Sequence, residues 1–459
     1  MLNKIRKKNI LNIILDNLKK KKKMKLFLYN KKMQDKLDIT FKDFLEFKFI
    51  KILKEKYHLS LNDDVDTKIL NISEHPKSYE IFKYLNFVKF RDLRELDLSN
   101  NLLPNLSSLK IINTENLEVL LLDNNILKNN IDLFEQLNLK NLIKLSLINN
   151  YITNIKVLEK VNFNKLEILN LDYNEQLCDI EVLKKVNFPQ LKVLSLNKCR
   201  IYNRCLNVLV DVNFKKLETL DLRCNFISDI NILENYDFPE LKDLNLSINR
   251  ISNIDVLKKV NFSKLEILDI SQNNLKDINI LEQVPFKNLK ELDIGSNQIS
   301  NLKIFEKVKF NKLEKLKLCN IYKFDLTALA NANLKSLKAL YLSFNEIIDI
   351  NILGQFKFEQ LEILDLSFNK IVDISVLEKV NFKNLKELIL LGNQISNIDI
   401  LDKAEFTNLE ILDLSQNKIS DVSIFKKAKF EKLKKLELSY NDISDKEAIE
   451  KFNIEKSEF

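Results

Sequence analysis

Apolar residues return along this chain in one short phrase. Leucines, with occasional isoleucines, stand at the first, fourth and sixth places of LxxLxLxxN. The phrase begins at Leu93, Leu117, Leu142, Leu166, Leu191, Leu217, Leu241, Leu265, Leu289, Leu313, Leu337, Leu361, Leu385, Leu409 and Leu433. That makes fifteen copies, and the spacing settles to 24 after Leu217. Alternate residues of a strand point to one side, so LxL predicts a short strand with one buried side. Asn fills the ninth place in thirteen copies, as at Asn125, Asn249 and Asn369, while Cys199 stands there once and Asn320 arrives one place early. An amide that both donates and accepts, repeated at each bend, predicts a buried ladder in which every Asn helps to satisfy its neighbour.

The remainder of each copy is patterned differently. In "ISNIDVLKKVNF" (251–262), Ile251, Ile254, Leu257 and Val260 recur every three residues. That spacing predicts a short α or 3₁₀ segment, N-capped from the thirteenth place by Asp229, Asn253, Asp277, Asp373 or Asp421. Phe stands three places before the next first Leu at 163, 188, 214, 238, 262, 286, 310, 358, 382, 406 and 430, which predicts an aromatic spine through the coils. No single coil can bury its apolar side, so neighbouring coils must stack. The predicted architecture is an α/β solenoid with parallel strands on a concave sheet and short helical or 3₁₀ segments on the convex side. A degenerate opening coil is expected at 67–73.

This phrase resembles the leucine-rich repeat family, in its short intracellular class of 22–24 residues per coil, over roughly residues 67–450. The resemblance implies a horseshoe. It divides the chain into a helical N-terminal module (1–66), the solenoid (67–443) and a C-terminal capping helix (444–459).

If the repeated letters are scaffold, function sits in those that vary. On the strand these are the second, third, fifth, seventh and eighth places. The second alternates through twelve copies, from Glu167 and Lys192 to Glu410 and Lys434, which suggests a cross-strand charge ladder and growth by a 48-residue double unit. Asp97, Asp221, Asp269, Asp293, Asp365 and Asp413 at the fifth place read as structural rather than metal-binding. The polar habit breaks in three successive copies, where Tyr341, Phe344, Ile363, Phe368, Ile389 and Leu391 occupy exposed places. They are the candidate partner-binding residues, because contiguous apolar patches mark interaction sites. The alternative is that bulky neighbours merely cover one another. Val119, Leu121, Ile143 and Ile148 form a second, weaker patch.

Charge changes the picture only at one end. Residues 1–60 hold 18 Lys and Arg against 6 Asp and Glu, so of the chain's net +8 the other 399 residues carry −4. A near-neutral repeat surface argues against nucleic acid as the solenoid's ligand. Three glycines leave no phosphate-cradling loop, and the two histidines lie outside the clear repeats. Cys178, Cys199, Cys205 and Cys224 fall at different places of their coils and read as small apolar residues, not as a zinc site. No enzyme, metal or cofactor is expected. The sequence shows neither a signal-peptide pattern nor a membrane span, and its cysteines suit a reducing compartment, cytoplasmic or nuclear.

Residues 9–39 are similar to the F-box in the spacing of Ile10, Leu11, Ile14, Leu15 and Leu18, followed by Met24, Leu26, Phe27, Leu28 and Lys32; the usual Leu-Pro start and Trp are absent. That likeness implies docking on a Skp-type adaptor, making the chain a substrate receptor of a cullin-type ubiquitin ligase. A plain helical cap closing the first coil is the other reading of the segment, and the Lys19–Lys23 run is either a solvated turn or a basic address. The overall expectation is a non-catalytic scaffold that binds a protein partner on its concave face.

Overall fold

The computed structural model describes residues 92–321, 325–427 and 430–444, and ahead of them 68–74 with the single positions 49, 52, 53, 81, 88 and 90. The F-box-like positions, the Lys19–Lys23 run and the C-terminal segment after Ser444 lie outside the described residues. Packing divides the chain into two compact units, Met1–Arg200 with Val212–Phe214, and Ile201–Asp211 with Lys215–Phe459.

Both units are stacks of coils of one design. Among the described residues there are sixteen strands of three residues, one per coil, and the opening coil supplies the first at Ile69–Asn71. Pairing is parallel, and the fourth-place leucines stand opposite one another, as in Leu292 with Leu316 and Leu316 with Leu340. The strand ends after three residues because the ninth-place Asn turns the chain inward. Leucines of the first, fourth and sixth places are buried in every coil except at the half-buried Leu433 of the last one, and all eleven residues of the expected Phe spine are buried as well. The outer segments are mainly 3₁₀ turns of four or five residues, such as Asp255–Lys258 and Ser375–Glu378.

The Asn ladder can be followed atom by atom. Asn273 donates through Nδ2 to the carbonyls of Leu246 (3.0 Å), Ile270 (3.1 Å) and Ser271 (3.0 Å), and its Oδ1 accepts the Ile251 N–H at 2.9 Å. Asn249, Asn297, Asn369, Asn393 and Asn417 repeat this arrangement. One side chain thereby satisfies backbone groups of two coils that water cannot reach. Cys199 replaces the amide with a thiol 3.1 Å from the Leu171 carbonyl. In the Leu313 coil the ninth place is the buried Ile321, which still gives its N–H to Asn345 Oδ1 at 2.7 Å. Its strand stays in register on both sides. That coil keeps its place through its neighbours' amides.

A second regularity was not visible in the sequence. The eighth residue of every coil with a described corner adopts the left-handed conformation, from Glu74 (φ 54°) and Asn100 (φ 59°) to Tyr440 (φ 58°), including Ile248 at 52°. A β-branched residue there is costly, by roughly 1–2 kcal/mol. The offset is a further rung: the eighth N–H bonds the seventh carbonyl of the next coil, as in Ile248 to Ser271 (3.0 Å) and Phe344 to Ser367 (3.1 Å). This explains Asn320 arriving one place early: it occupies the left-handed corner (φ 53°).

The thirteenth-place caps form one residue earlier than expected. Asp229, Asn253, Asp277, Asp373 and Asp421 each accept the N–H two residues ahead through Oδ1 at 2.7–2.8 Å, but the N-cap residue itself is the intervening Ile or Val. These side chains bridge over it.

Replacing Asn273 with Ala would orphan the Ile251 N–H in a dry core and remove one bond from each of the Leu246, Ile270 and Ser271 carbonyls, which keep Asn249, Asn297 and the Ile248 N–H as donors. At ~1–3 kcal/mol for the orphaned N–H and ~0.5–1.5 kcal/mol for each lost bond, partly relieved by relaxation, a loss of about 3 kcal/mol is expected as a lower urea midpoint. The exposed Asn320→Ala should change it by less than about 1 kcal/mol.

Candidate functional site

The solvent side of the strands shows where the scaffold has used its polar groups. The second-place ladder forms, and it pairs in one direction. Each Lys reaches back to the Glu of the preceding coil: Lys192–Glu167 (2.8 Å), Lys242–Glu218 (2.7 Å), Lys290–Glu266 (2.7 Å), Lys338–Glu314 (3.0 Å), Lys386–Glu362 (2.7 Å) and Lys434–Glu410 (2.5 Å). These side chains are a third or more exposed, so each pair contributes only ~0–1 kcal/mol. All six fifth-place Asp residues accept the N–H of the seventh residue, as in Asp365 with Ser367 at 2.8 Å and Asp413 with Ser415 at 2.9 Å. They are turn-formers. Among the described residues no cluster of His, Cys, Asp or Glu could hold a metal ion.

The coils at Leu337, Leu361 and Leu385 differ. All six predicted residues fall on the solvent side: Tyr341, Ile363, Ile389 and Leu391 are half-buried, and Phe344 and Phe368 are 54% and 37% exposed. Phe344 and Phe368 both occupy left-handed corners, and their rings stack with centroids 4.5 Å apart and planes 13° from parallel. Phe368 lies against the backbone of Gly392, where a Cβ would come within 2.6 Å of its ring. Gly392 is itself at the left-handed corner (φ +67°), so this glycine supplies both the conformation and the space. The exposed Ile348 and Val372, at the twelfth place of the first two coils, add apolar surface beyond the corners. Sequence reading missed Gly392, Ile348 and Val372. A rare glycine at the same place as two neighbouring phenylalanines was the available signal.

The lysines of the neighbouring coil are engaged by acids. On the Leu313 coil, Lys315 and Lys317 both pair with Glu291 (2.9 and 2.7 Å), and Lys317 also approaches Asp293 at 3.6 Å. Burial pushes the Tyr341 hydroxyl above its ordinary value, with those lysines opposing. Burial also pushes the Asp293 carboxyl up to about 6; Asp269 adds to the rise, while the Gly295 N–H and Lys317 oppose it. The weaker N-terminal patch, Val119, Leu121, Ile143 and Ile148, lies half-buried on its own unit's solvent side. Of the four clustered cysteines, Cys199 and Cys205 are buried and Cys178 and Cys224 half-buried, all as free thiols.

A coil of this geometry, repeated without interruption, defines a class of protein. Family models for two-copy leucine-rich repeats match residues 335–379, 359–403, 383–427 and 407–448, and a single-repeat model matches 287–302. Those residues are leucine-rich repeats, and both units have the leucine-rich repeat fold. It is similar to an internalin of Listeria monocytogenes, with 29% identity over 67% of this chain and 82% of that one and a TM-score of 0.52. A leucine-rich repeat protein of Leptospira interrogans shares the fold, with 23% identity over 88% of this chain and 98% of its own and a TM-score of 0.58. No curated protein matches the chain.

The raised Asp293 carboxyl carries a pH dependence. Below about pH 4 it is protonated in folded and unfolded chains alike. As pH climbs through about 6 the folded chain must ionise a group that it prefers neutral, and that contribution to stability is lost. Asp293→Asn removes the penalty. The difference in urea midpoint between variant and wild type should therefore shift in the variant's favour between about pH 4 and 7.

Proposed function

We propose that this protein is a non-catalytic scaffold that captures a protein partner on the solvent side of its strands, with Tyr341, Phe344, Ile363, Phe368, Ile389 and Leu391 as the anchor. One observation carries the reading. The Phe344–Phe368 stack is fixed in place by left-handed corners and the Gly392 backbone while half or more of Phe344 stays in water. Two phenyl rings held so rigidly lose little entropy on binding, and rigid aromatic anchors in a polar surround are how interface hot spots are built. The core does not need these rings, since the buried spine supplies its aromatic packing. The reducing compartment, cytoplasmic or nuclear, belongs to the same proposal and rests on free thiols in the coils.

The test compares two baits, the wild-type chain and the double variant Tyr341→Ala, Phe368→Ala, by proximity labelling followed by binding of the purified hit. Loss of the hit and a fall in affinity of about tenfold or more, with an unchanged thermal melt, is expected. Equal affinity for both baits would refute the anchor, and a lowered melt would show the rings to be packing elements.

A further inference from the structure

A second exposed cluster lies in the second unit, away from the positions used above. The chain has 7 arginines among its 73 basic residues, and four of them, Arg200, Arg204, Arg223 and Arg250, fall within 51 residues. The Leu191 coil is also the longest at 26 residues. Its surplus is used in an α-helical turn, Asn203–Leu206, ahead of the usual 3₁₀ segment. That turn is held by the following coil. Tyr236 donates its hydroxyl to the Leu206 carbonyl at 2.9 Å; the Asn203 amide bonds Ser228 Oγ at 3.0 Å and accepts the Ser228 N–H at 2.8 Å.

Fixed by those bonds, four side chains form layers. The Arg204 guanidinium lies over Tyr202 (5.7 Å to the centroid), Tyr202 stacks on Phe226 (5.3 Å, 17° from parallel), and the Arg250 guanidinium lies over Phe226 at 4.8 Å. A backbone bridge joins Tyr202 to Phe226. Arg204, Phe226 and Arg250 are all exposed, as is Arg223 three residues before Phe226. Stacking engages the flat side of a guanidinium and leaves its N–H edge open to a carboxylate. Among the described residues none of Arg204, Arg223 and Arg250 is ion-paired. Of the acids nearby, Glu218 pairs with Lys242, Glu234 with Lys259 and Asp237 with Lys215, while Asp221 and Asp229 accept backbone N–H groups.

We propose that the Arg204–Tyr202–Phe226–Arg250 stack is a docking ladder for an acidic protein segment. Charge complementarity selects the occupant. The ladder offers preorganised forks for carboxylates beside ring surface, so a segment with Asp or Glu around an apolar residue fits both parts. A polynucleotide would need a longer basic track, and the surrounding surface is charge-balanced.

Amide hydrogen exchange on the full chain, with and without a short poly-L-glutamate, tests this, because it reports where the probe sits. Saturable protection of residues 201–207, 223–228 and 248–252 is expected. Arg204→Lys with Arg250→Lys keeps the charge but loses the planar fork, and should weaken that protection by about tenfold; Phe226→Leu should weaken it as well without touching a charge. Protection confined to the lysine-rich residues 1–60, or equal protection in all three proteins, would overturn the proposal. Stronger protection of the same amides by a single-stranded oligonucleotide would overturn it too, in favour of a nucleic-acid site.

Discussion

The ninth-place amide is the constraint on which the rest depends. A chain that leaves a three-residue strand and turns inward aims the carbonyls of its sixth and seventh residues into the stack, where no water reaches them. Backbone pairing serves only the seventh of these, through the eighth N–H of the preceding coil as Ile248 does for Ser271, and leaves the sixth to a side chain. Asn has the reach and the two kinds of polar atom that the corner needs, and Asn273 uses both, binding three carbonyls and one N–H across two coils. Cys199 and Ile321 mark the tolerance of the scheme. A coil without the amide survives because the next coil's Asn still receives its N–H, as Asn345 does for Ile321. Stability is therefore a property of neighbours rather than of single coils.

That constraint also sets the eighth residue free. The ladder rung from its N–H to the next coil fixes the backbone in the left-handed region whatever side chain is present, and Asn, Tyr, Lys, Cys, Ile, Gln, Ser and Phe all occur there. A position with a dictated backbone and an undictated side chain is well suited to recognition, since the side chain projects from a rigid base. Phe344 and Phe368 use this freedom, and the Gly392 corner beside them completes the platform.

Periodicity made the strands, the Asn ladder, the Phe spine and the solvent-facing places legible, because each follows from a residue type repeated at a fixed interval. The left-handed corner was not legible. Its usual markers are Gly and Asn, and here the backbone ladder overrides them with residues as unsuitable as Ile248. Nor did alternation at the second place reveal that each Lys turns to the preceding coil, because a strand lies between two neighbours at the same spacing. The thirteenth-place caps were found one residue off because a short polar side chain can reach over an intervening Ile. For the site, the six apolar residues could be named from register alone. Their stacking could not, since it depends on ring orientation and on the missing Cβ at Gly392.

Both candidate surfaces lie where the second unit departs from its own rule, and the departures differ in kind. The patch around Tyr341 is made by substitution: coils of ordinary length carry apolar residues at places that are polar elsewhere. The arginine ladder is made by insertion, since the extra length of the Leu191 coil builds the turn that brings Arg204 and Tyr202 to Phe226. Substitution leaves the backbone unchanged and alters the strand surface, whereas insertion must emerge after the strand, where the coil can lengthen without breaking register. A stack of equivalent coils has no preferred place for a ligand. These two irregularities are the places we propose, an apolar anchor on the strands and a cationic fork beside them, and neither disturbs the amide ladder beneath.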